Sequence, residues 1–214
     1  MYARFKDRVE AGRVLAAQLS SEAGRNAVVL ALPRGGVPVA LEVAKALDAE
    51  LDVLPVRKLG VPGQKELAMG AIASGDALYI EQDTMRAAHV SQAQFDAVLA
   101  QERIELARRE TAYRGNRPPA FIQGRTVLLV DDGIATGATM RAAVLALRER
   151  GPARLVAAVP VGPKGIEAEF AGIVDAFVCV AQPEPFFSVG QQYEDFGETT
   201  DDEVRELLRQ AWDR

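Results

Sequence analysis

The sequence predicts an α/β fold in which a mainly parallel sheet is flanked by helices on both faces. Short apolar, β-branched runs typical of buried parallel strands alternate with stretches of helical periodicity along most of the chain. The 214 residues, 49% of them hydrophobic, are enough for one ordinary domain. No apolar run reaches the roughly 18 residues that would suggest a membrane span. We therefore expect a single domain over residues 1–214.

The individual elements follow from these patterns. Apolar runs predict buried strands at residues 27–32, 51–56, Thr126–Val130, 155–161 and 176–180. Helical periodicity predicts helices at residues 6–19, 37–47, 91–113 and 138–150, a short helix near Ile166–Phe170, and a last helix from residue 201. Ser91 with Gln94, and Thr200 with Glu203, have the spacing of capping boxes, which fixes two of the helix starts.

Composition narrows the class of partner. The net charge is −5 and no dense basic cluster is present, so we expect no nucleic-acid partner. The start of the chain lacks the apolar core of a signal peptide, which predicts a cytoplasmic protein without a membrane partner. The single cysteine, Cys179, excludes an internal disulfide, and its apolar neighbours predict an inert buried thiol. Small polar ligands remain as the expected partners.

The stretch TVLLVDDGIATGATM, residues 126–140, carries the most specific chemistry. Asp131 and Asp132 end a strand, and a loop of small residues then opens a helix. Backbone N–H groups at a helix N-terminus, with the hydroxyls of Thr136 and Thr139, suit a phosphate monoester, and Gly137 lets the backbone approach it closely. Adjacent carboxylates can accept from a vicinal diol or hold Mg²⁺. The predicted ligand is therefore a ribose 5-phosphate.

The segment VLLVDDGIATGAT resembles the signature with which type I phosphoribosyltransferases bind phosphoribosyl pyrophosphate (PRPP). The resemblance implies that Asp131 and Asp132 hold the ribose 2′- and 3′-hydroxyls and Mg²⁺. It also implies that the 5′-phosphate is held by the loop residues Ala135, Thr136, Gly137, Ala138 and Thr139. The alternative is an ordinary βα turn with an Asp cap and a helix-starting Thr. In the 6-oxopurine branch of the family an Asp occupies the position of Ala135, whereas the adenine branch also has Ala there.

A second anion site is predicted where PRGG follows the first strand. An arginine and two glycines at the carboxyl end of a strand are placed where open α/β sheets bind ligands. By resemblance to the family, this loop binds pyrophosphate through Arg34, Gly35 and Gly36, and the Pro33–Arg34 peptide bond is a candidate for the cis form. The alternative is a glycine-rich turn with a solvated arginine.

The glycine-rich residues 58–76 are predicted to form a flexible lid. In the family, such a loop closes over PRPP and excludes water, the competing nucleophile. The resemblance implies that Arg57 and Lys58, at its base, meet the pyrophosphate. Glu66 is the best-placed carboxylate for acid–base work on the incoming nucleophile, and a charged tip on a solvated loop is the alternative. A hairpin of residues 68–74 and Ala77–Ile80 would frame the lid.

Residues 181–200 carry several aromatics among turn residues and are predicted to form a hood over the ligand. The pattern F-x-V-G-x-x-x-acid resembles the hood of the 6-oxopurine branch, which implies that Phe187 stacks on the acceptor base and that Glu194 approaches Mg²⁺. The alternative is a loop pinned to the core by its aromatics. The lysine that reads the 6-oxo group in that branch aligns with Pro160, so a hypoxanthine or guanine acceptor is not indicated.

The resemblance as a whole implies an Mg²⁺-dependent glycosyltransferase. It would move the 5-phosphoribosyl group from PRPP to a nitrogenous base, with purines among the candidates, and release pyrophosphate. A homodimer is the common expectation for closed assemblies. Two alternatives stay open, because fold does not fix function. One is a regulatory protein of the same fold that binds PRPP or a nucleotide, and the other is a hydrolase that cleaves a phosphoribosyl bond with water.

Overall fold

The computed structural model describes residues 4–24, 26–75 and 77–213, with the side chain of Glu66 outside the description. The strands run Ala27–Ala31 (β1), Glu50–Val53 (β2), Val56–Val61 (β3), Gln64–Ala73 (β4), Ala77–Ile80 (β5), Thr126–Val130 (β6), Arg154–Val161 (β7) and Ala176–Ala181 (β8). The α-helices run Arg8–Leu19 (α1), Gly36–Leu47 (α2), Gln82–Ala87 (α3), Gln92–Arg114 (α4), Ala138–Arg148 (α5) and Asp201–Trp212 (α6). Short 3₁₀ helices lie at Ile166–Phe170 and Gly190–Gln192.

Five parallel strands form the main sheet in the order β2-β1-β6-β7-β8, which confirms the predicted α/β class. Alternate side chains of a strand point to opposite faces, so β1 sends Val29 and Ala31 to one core and Val28 and Leu30 to the other. Helices α1, α2 and α6 cover the first face, and α5 covers the second. The uninterrupted apolar runs seen in the sequence are explained by this burial on both faces.

The second strand is shorter than predicted. It ends at Val53 instead of residue 56. Leu54 still donates its N–H to the carbonyl of Ala31 at 2.8 Å, but Pro55 follows, and proline has no N–H to continue the ladder. The chain then turns away and Val56 begins a separate antiparallel sheet.

That second sheet, in the order β3-β4-β5, contains the segment predicted as a lid. The predicted hairpin of β4 and β5 is confirmed, but the glycine-rich stretch before it forms paired strands, with a shift of register at Gly60, that pack on α4 and α5 instead of an irregular loop. A β-carbon on Gly60 would lie 2.6 Å from the carbonyl oxygen of Lys65, and one on Gly70 would lie 2.5 Å from that of Tyr79. These glycines therefore permit close approach of backbones. Closure of the segment over a ligand stays a prediction.

The helix starts agree with the sequence where capping chemistry defined them. Both predicted capping boxes are present, at Ser91 for α4 and at Thr200 for α6. Helix α3 has no counterpart among the predicted elements, because Met85 is its only buried residue and gives no apolar period. In the part of the chain that the structure describes, no helix is both long and apolar enough to cross a membrane.

Candidate active site

The predicted site residues meet at the carboxyl ends of β1 and β6. These strands are neighbours in parallel register, with Ala31 opposite Val130. From β1 the chain continues to β2 on one side, and from β6 it continues to β7 and β8 on the other. Ligands of open α/β sheets bind at such a reversal of strand order. The loop after β1 and the acidic pair after β6 therefore leave the sheet side by side.

The Pro33–Gly36 loop touches the acidic pair directly. A β-carbon placed on Gly35 would lie 2.0 Å from Oδ2 of Asp132, and one on Gly36 would lie 2.8 Å from the carbonyl oxygen of Val130. Only glycine fits at either position without displacement. The peptide bond between Pro33 and Arg34 is cis, as the resemblance suggested. The structure thus brings together two segments that are almost a hundred residues apart in the sequence.

The acidic pair is held in surroundings that disfavour two full negative charges. Burial raises the pKa of the Asp131 carboxyl well above its usual range, and the neighbouring charge of Asp132 raises it further. Burial also raises the pKa of Asp132, against the opposing effect of the Arg8 guanidinium. Oδ1 of Asp131 accepts the backbone N–H of Asp132 at 2.8 Å. Carboxylates in this state gain from a cation or from hydroxyl donors of a ligand.

The loop from Ala135 to the start of α5 has the form of an anion site. Gly137 caps the helix with φ of +74°, a conformation that favours glycine, and no side chain caps the first turn. Thr136 and Thr139 are exposed beside it, as are Ala135 and Ala138. The first-turn N–H groups and both hydroxyls are therefore accessible to a phosphate.

The structure brings together two of the three carboxylates that were predicted to bind a divalent cation. Among the described residues, no three His, Cys, Asp or Glu side chains come together as a metal site, so the exposed Glu194 is not gathered with Asp131 and Asp132. Binding of a metal ion by Asp131, Asp132 and Glu194 stays a prediction. Two carboxylates fit Mg²⁺ where a ligand or water supplies its remaining oxygens, which is how this ion is usually held.

Arg8 is the site residue that the sequence did not reveal. It is the first residue of α1, and its Nε donates to Oδ2 of Asp132 at 2.8 Å. Its Nη1 donates to the carbonyl of Gly197 at 2.7 Å, and its guanidinium lies 3.9 Å above the ring centre of Phe196. The Tyr193 hydroxyl donates to the backbone carbonyl of Asp132. The start of the chain and the hood are therefore both fastened to the acidic pair.

The two basic residues predicted at the base of the lid point to different places. Nε of Arg57 donates to Glu102 of α4 at 2.6 Å, and this pair borders a cavity of about 310 Å³ beside the β3–β4 hairpin. Lys58 also borders a cavity of about 170 Å³ that is lined in addition by Ala138, the first residue of α5, and by Arg141. Lys58 thus shares a cavity with the start of α5, whereas Arg57 is engaged by α4. The predicted role of Glu66 falls on a side chain outside the described part.

The hood divides into pinned and free aromatics. Tyr193 is buried against the rings of Phe5 and Phe196, and Phe186 packs on the main core, as the pinned-loop interpretation expected. Phe187 is 74% exposed and remains available for stacking.

The single cysteine, Cys179, is half-buried in β8. Burial raises the pKa of its thiol to about 12, so the thiol stays protonated, in line with the prediction of an inert group.

A cavity of about 430 Å³ lies between the acidic pair, the Pro33–Gly36 loop and the hood. It is lined by Arg8, Arg34, Gly35, Asp132, Phe196, Gly197, Glu198 and Thr199. Arg34 is ion-paired there with Glu198, and its Nη1 lies 3.7 Å from Oδ1 of Asp201. The cavity thus offers two guanidinium groups and two carboxylates, those of Asp132 and Glu198, to one ligand, a combination that suits a polyanion carrying hydroxyl groups.

Comparison with known proteins identifies relatives of the whole chain. The family model of the phosphoribosyl transferase domain matches residues 1–170. Two curated relatives, from two strains of Mycobacterium tuberculosis, are each 51% identical over 207 residues and are provisionally named phosphoribosyl transferases. The matches cover 97% of this chain and 47% of each relative, so the chain spans about half the length of the curated relatives it matches.

A solved structure shares the fold. The crystal structure of the protein TT1426 from Thermus thermophilus is similar with a TM-score of 0.88 and 44% identity, over 97% of this chain and 98% of that one. A purine phosphoribosyltransferase from Pyrococcus horikoshii aligns with a TM-score of 0.48 and 16% identity, over 90% of this chain and 93% of that one. The second likeness is too distant to inform the choice of acceptor.

Proposed function

Because the chain belongs to the phosphoribosyltransferase family, we propose that it transfers the 5-phosphoribosyl group of PRPP to a nitrogenous base and releases pyrophosphate. The observation that carries this proposal is the contact of Gly35 with the carboxylate of Asp132. It sets the loop proposed for pyrophosphate against the pair proposed for the ribose diol, with the phosphate loop following the same pair along the chain. PRPP carries its three functional groups in that order.

The proposed binding roles follow from the donors and acceptors at each end of the site. The 5′-phosphate accepts hydrogen bonds from the first-turn N–H groups of α5 and from the hydroxyls of Thr136 and Thr139. The ribose 2′- and 3′-hydroxyls donate to the carboxylates of Asp131 and Asp132. The pyrophosphate lies on the loop of Arg34, Gly35 and Gly36, whose missing side chains let the loop lie directly against the acidic pair.

Transfer breaks the bond between C1 of the ribose and the pyrophosphate oxygen while a base nitrogen forms a bond to C1. Positive charge develops on the ribose ring, and the carboxylates of Asp131 and Asp132 stabilise it from the diol side. Asp131 and Asp132 would hold Mg²⁺, and the ion would offset negative charge on the leaving group. Lys58, beside the phosphate loop, adds positive potential, and Glu66 is proposed for proton transfer at the acceptor.

The acceptor side of the proposal rests on the hood. The exposed ring of Phe187 offers a stacking face to a planar base. Pro160 is buried within β7 and supplies no polar side chain there, so discrimination through a lysine at this position is absent in this chain. Lys164 is ion-paired with Glu184 at 3.0 Å. Adenine and pyrimidine bases therefore belong in the panel beside the 6-oxopurines.

The test is release of pyrophosphate from PRPP with Mg²⁺, measured against a panel of nucleobases. The double variant Asp131→Asn/Asp132→Asn serves as the inactive control. Asp83→Asn, which changes an exposed carboxylate of α3, serves as the matched control for charge removal. Turnover with one base, lost in the double variant and kept in Asp83→Asn, is the expected result.

Other results would move the assignment in defined ways. Release of pyrophosphate without any base would establish a hydrolase. Binding of PRPP without turnover on any base would establish a sensing protein of the same fold. No binding of PRPP would overturn the proposal. Sedimentation of the same sample tests the expected homodimer.

A further inference from the structure

Arg8 is a third cationic group at the candidate site, and its partners leave one of its nitrogens uncommitted. Nε donates to Asp132 and Nη1 to the carbonyl of Gly197, with the side chain only 12% exposed. In the described part of the chain Nη2 has no hydrogen-bond partner. It lies 3.3 Å from the point where a β-carbon on Gly35 would be, so it faces the loop proposed for pyrophosphate.

The covalent structure of PRPP brings its pyrophosphate to this nitrogen. The pyrophosphate is attached to C1 of the ribose, and C1 is bonded to C2, which carries one of the hydroxyls proposed to bind the acidic pair. The guanidinium of Arg8, which is hydrogen-bonded to Asp132, therefore lies close to the expected position of the phosphate oxygens. The rigid planar fork of arginine can serve a carboxylate with one edge and a phosphate with another.

Charge balance also calls for such a group. Arg34, the other guanidinium of the cavity, is engaged by Glu198 and lies near Asp201. Asp131 and Asp132 stand next to the position proposed for a multiply charged anion, and like charges at that distance repel. Arg8 is ion-paired with a single carboxylate, so it is the guanidinium of this cavity that is better able to offset the repulsion.

The surroundings of Arg8 connect this contact to the hood. Its guanidinium lies over Phe196 and binds the carbonyl of Gly197. Nearby, backbone hydrogen bonds join Phe5 and Lys6 to residues 192–195 of the hood, with lengths of 2.8 to 2.9 Å. A ligand that binds Arg8 is thereby connected to the N-terminal segment and to the hood.

We propose that Arg8 binds the pyrophosphate group of the substrate through Nη2 while it remains bonded to Asp132 and to the hood. This inference rests on the proposed function. It adds a binding residue contributed by the N-terminal segment, outside the segments whose motifs carried the resemblance. Arg8 would then have two roles, direct contact with phosphate and support of Asp132. Removing its side chain abolishes both roles together.

The experiment is calorimetric titration with inorganic pyrophosphate and, separately, with ribose 5-phosphate, both in the presence of Mg²⁺. Arg8→Gln is compared with the wild type and with Arg13→Gln, which removes another ion-paired arginine of α1, one that contacts Glu42 instead of the site. We expect Arg8→Gln to weaken pyrophosphate binding by roughly tenfold to a hundredfold, the range for loss of a charged hydrogen bond. Its affinity for ribose 5-phosphate should change by less than about threefold, and Arg13→Gln should bind both ligands normally.

Arg8→Lys keeps the charge and guards against a folding defect in Arg8→Gln. A lysine cannot keep all three partners, so we expect an affinity for pyrophosphate between those of Arg8→Gln and the wild type. Equal weakening of both ligands would overturn the inference, because it would show that Arg8 acts only through Asp132. Unchanged pyrophosphate binding would overturn it as well. Failure of the wild type to bind either ligand would overturn the proposed function itself, a result distinct from both.

Discussion

Two aspartate–arginine pairs in this chain, Asp52–Arg114 and Asp132–Arg8, have the same chemistry in different surroundings. Asp52 and Arg114 are 3–4% exposed, and Nε of Arg114 lies 2.8 Å from Oδ1 of Asp52. The two carboxylate oxygens also accept the backbone N–H groups of Val53 and Ala120, and Arg114 further donates to Glu110 and to the carbonyl of Val53. Every polar atom of this carboxylate is used to join β2, the end of α4 and the connector to β6.

The ion pair of Asp132 and Arg8 has a similar length, but part of its charge and of its hydrogen-bonding capacity has no partner among the described residues. Its side chains are 14% and 12% exposed, Asp132 stands beside a second carboxylate, and both residues line a cavity. Burial with all hydrogen bonds satisfied marks an ion pair that holds the fold together. Burial beside a cavity, with donors and charge left over, marks one that can bind a ligand. Four predictions test this distinction.

The largest effect is expected from Arg114→Ala. It leaves Asp52 buried without its counter-charge, which should lower the free energy of unfolding by about 3–5 kcal/mol. Urea denaturation followed by circular dichroism measures it. Arg8→Ala should lose only about 1–2 kcal/mol, because its carboxylate faces a cavity and can be solvated. Equal losses in the two variants would remove the contrast between the pairs.

Asp132→Asn should change the activity much more than the stability. The amide keeps the shape and can still accept from Arg8, so the stability should change by less than about 1 kcal/mol. Loss of the charge should lower kcat/KM for PRPP by about a hundredfold, the scale for removing one electrostatic contact to a transition state. Steady-state kinetics of the two variants Asp132→Asn and Asp83→Asn decide this. Activity retained in Asp132→Asn would exclude its proposed role.

Gly35→Ala and its neighbour Gly36→Ala separate side-chain from backbone contacts. The β-carbon of Gly35→Ala meets the movable carboxylate of Asp132, and its backbone is already helical, so the fold should tolerate it while PRPP affinity falls about tenfold, or roughly 1.4 kcal/mol. The β-carbon of Gly36→Ala meets the backbone carbonyl of Val130 and should lower the melting temperature more. Calorimetric titration and thermal melting check both. The opposite ranking in either assay would contradict the geometry.

The smallest effect is a gain in stability from Asp131→Asn. The pKa of Asp131 is raised in the folded state, so ionisation above that pKa opposes folding, and this penalty disappears as the pH falls towards the unfolded value of about 3.9. The variant has no such penalty. It should therefore be more stable than the wild type by about 1 kcal/mol at pH 8, with a difference that shrinks as the pH is lowered. Urea denaturation across this range measures it, and a gain that grows towards acid pH would have the wrong sign.

The parts of the fold and site that were predictable are those whose signal is local. A strand, two carboxylates, a glycine loop and a helix start lie within fifteen consecutive residues, so the place of Asp131, Asp132 and the loop around Gly137 between β6 and α5 could be predicted from spacing. Capping boxes placed α4 and α6 for the same reason. In each of these patterns, the spacing of neighbouring residues determines the local backbone structure.

The parts that escaped prediction depend on contacts between distant residues. Arg8 and Asp132 are 124 positions apart, and Asp52 and Arg114 are 62 apart, so no sequence window contains either pair. Arg8 follows the N-cap Asp7 in an ordinary amphipathic helix, where an arginine is expected to face solvent. The glycines near the β3–β4 hairpin carried a real signal, but close backbone approach and flexibility require the same residue.

The most direct test of the central claim is the crystal structure of the protein with PRPP and Mg²⁺. The account predicts the 5′-phosphate at the start of α5, the ribose hydroxyls on Asp131 and Asp132, and the pyrophosphate between the Arg34 loop and Arg8. PRPP bound with its diol away from the acidic pair, or with its pyrophosphate on Arg108 and Arg109 instead of Arg8 in the neighbouring cavity that Arg34 also lines, would contradict it.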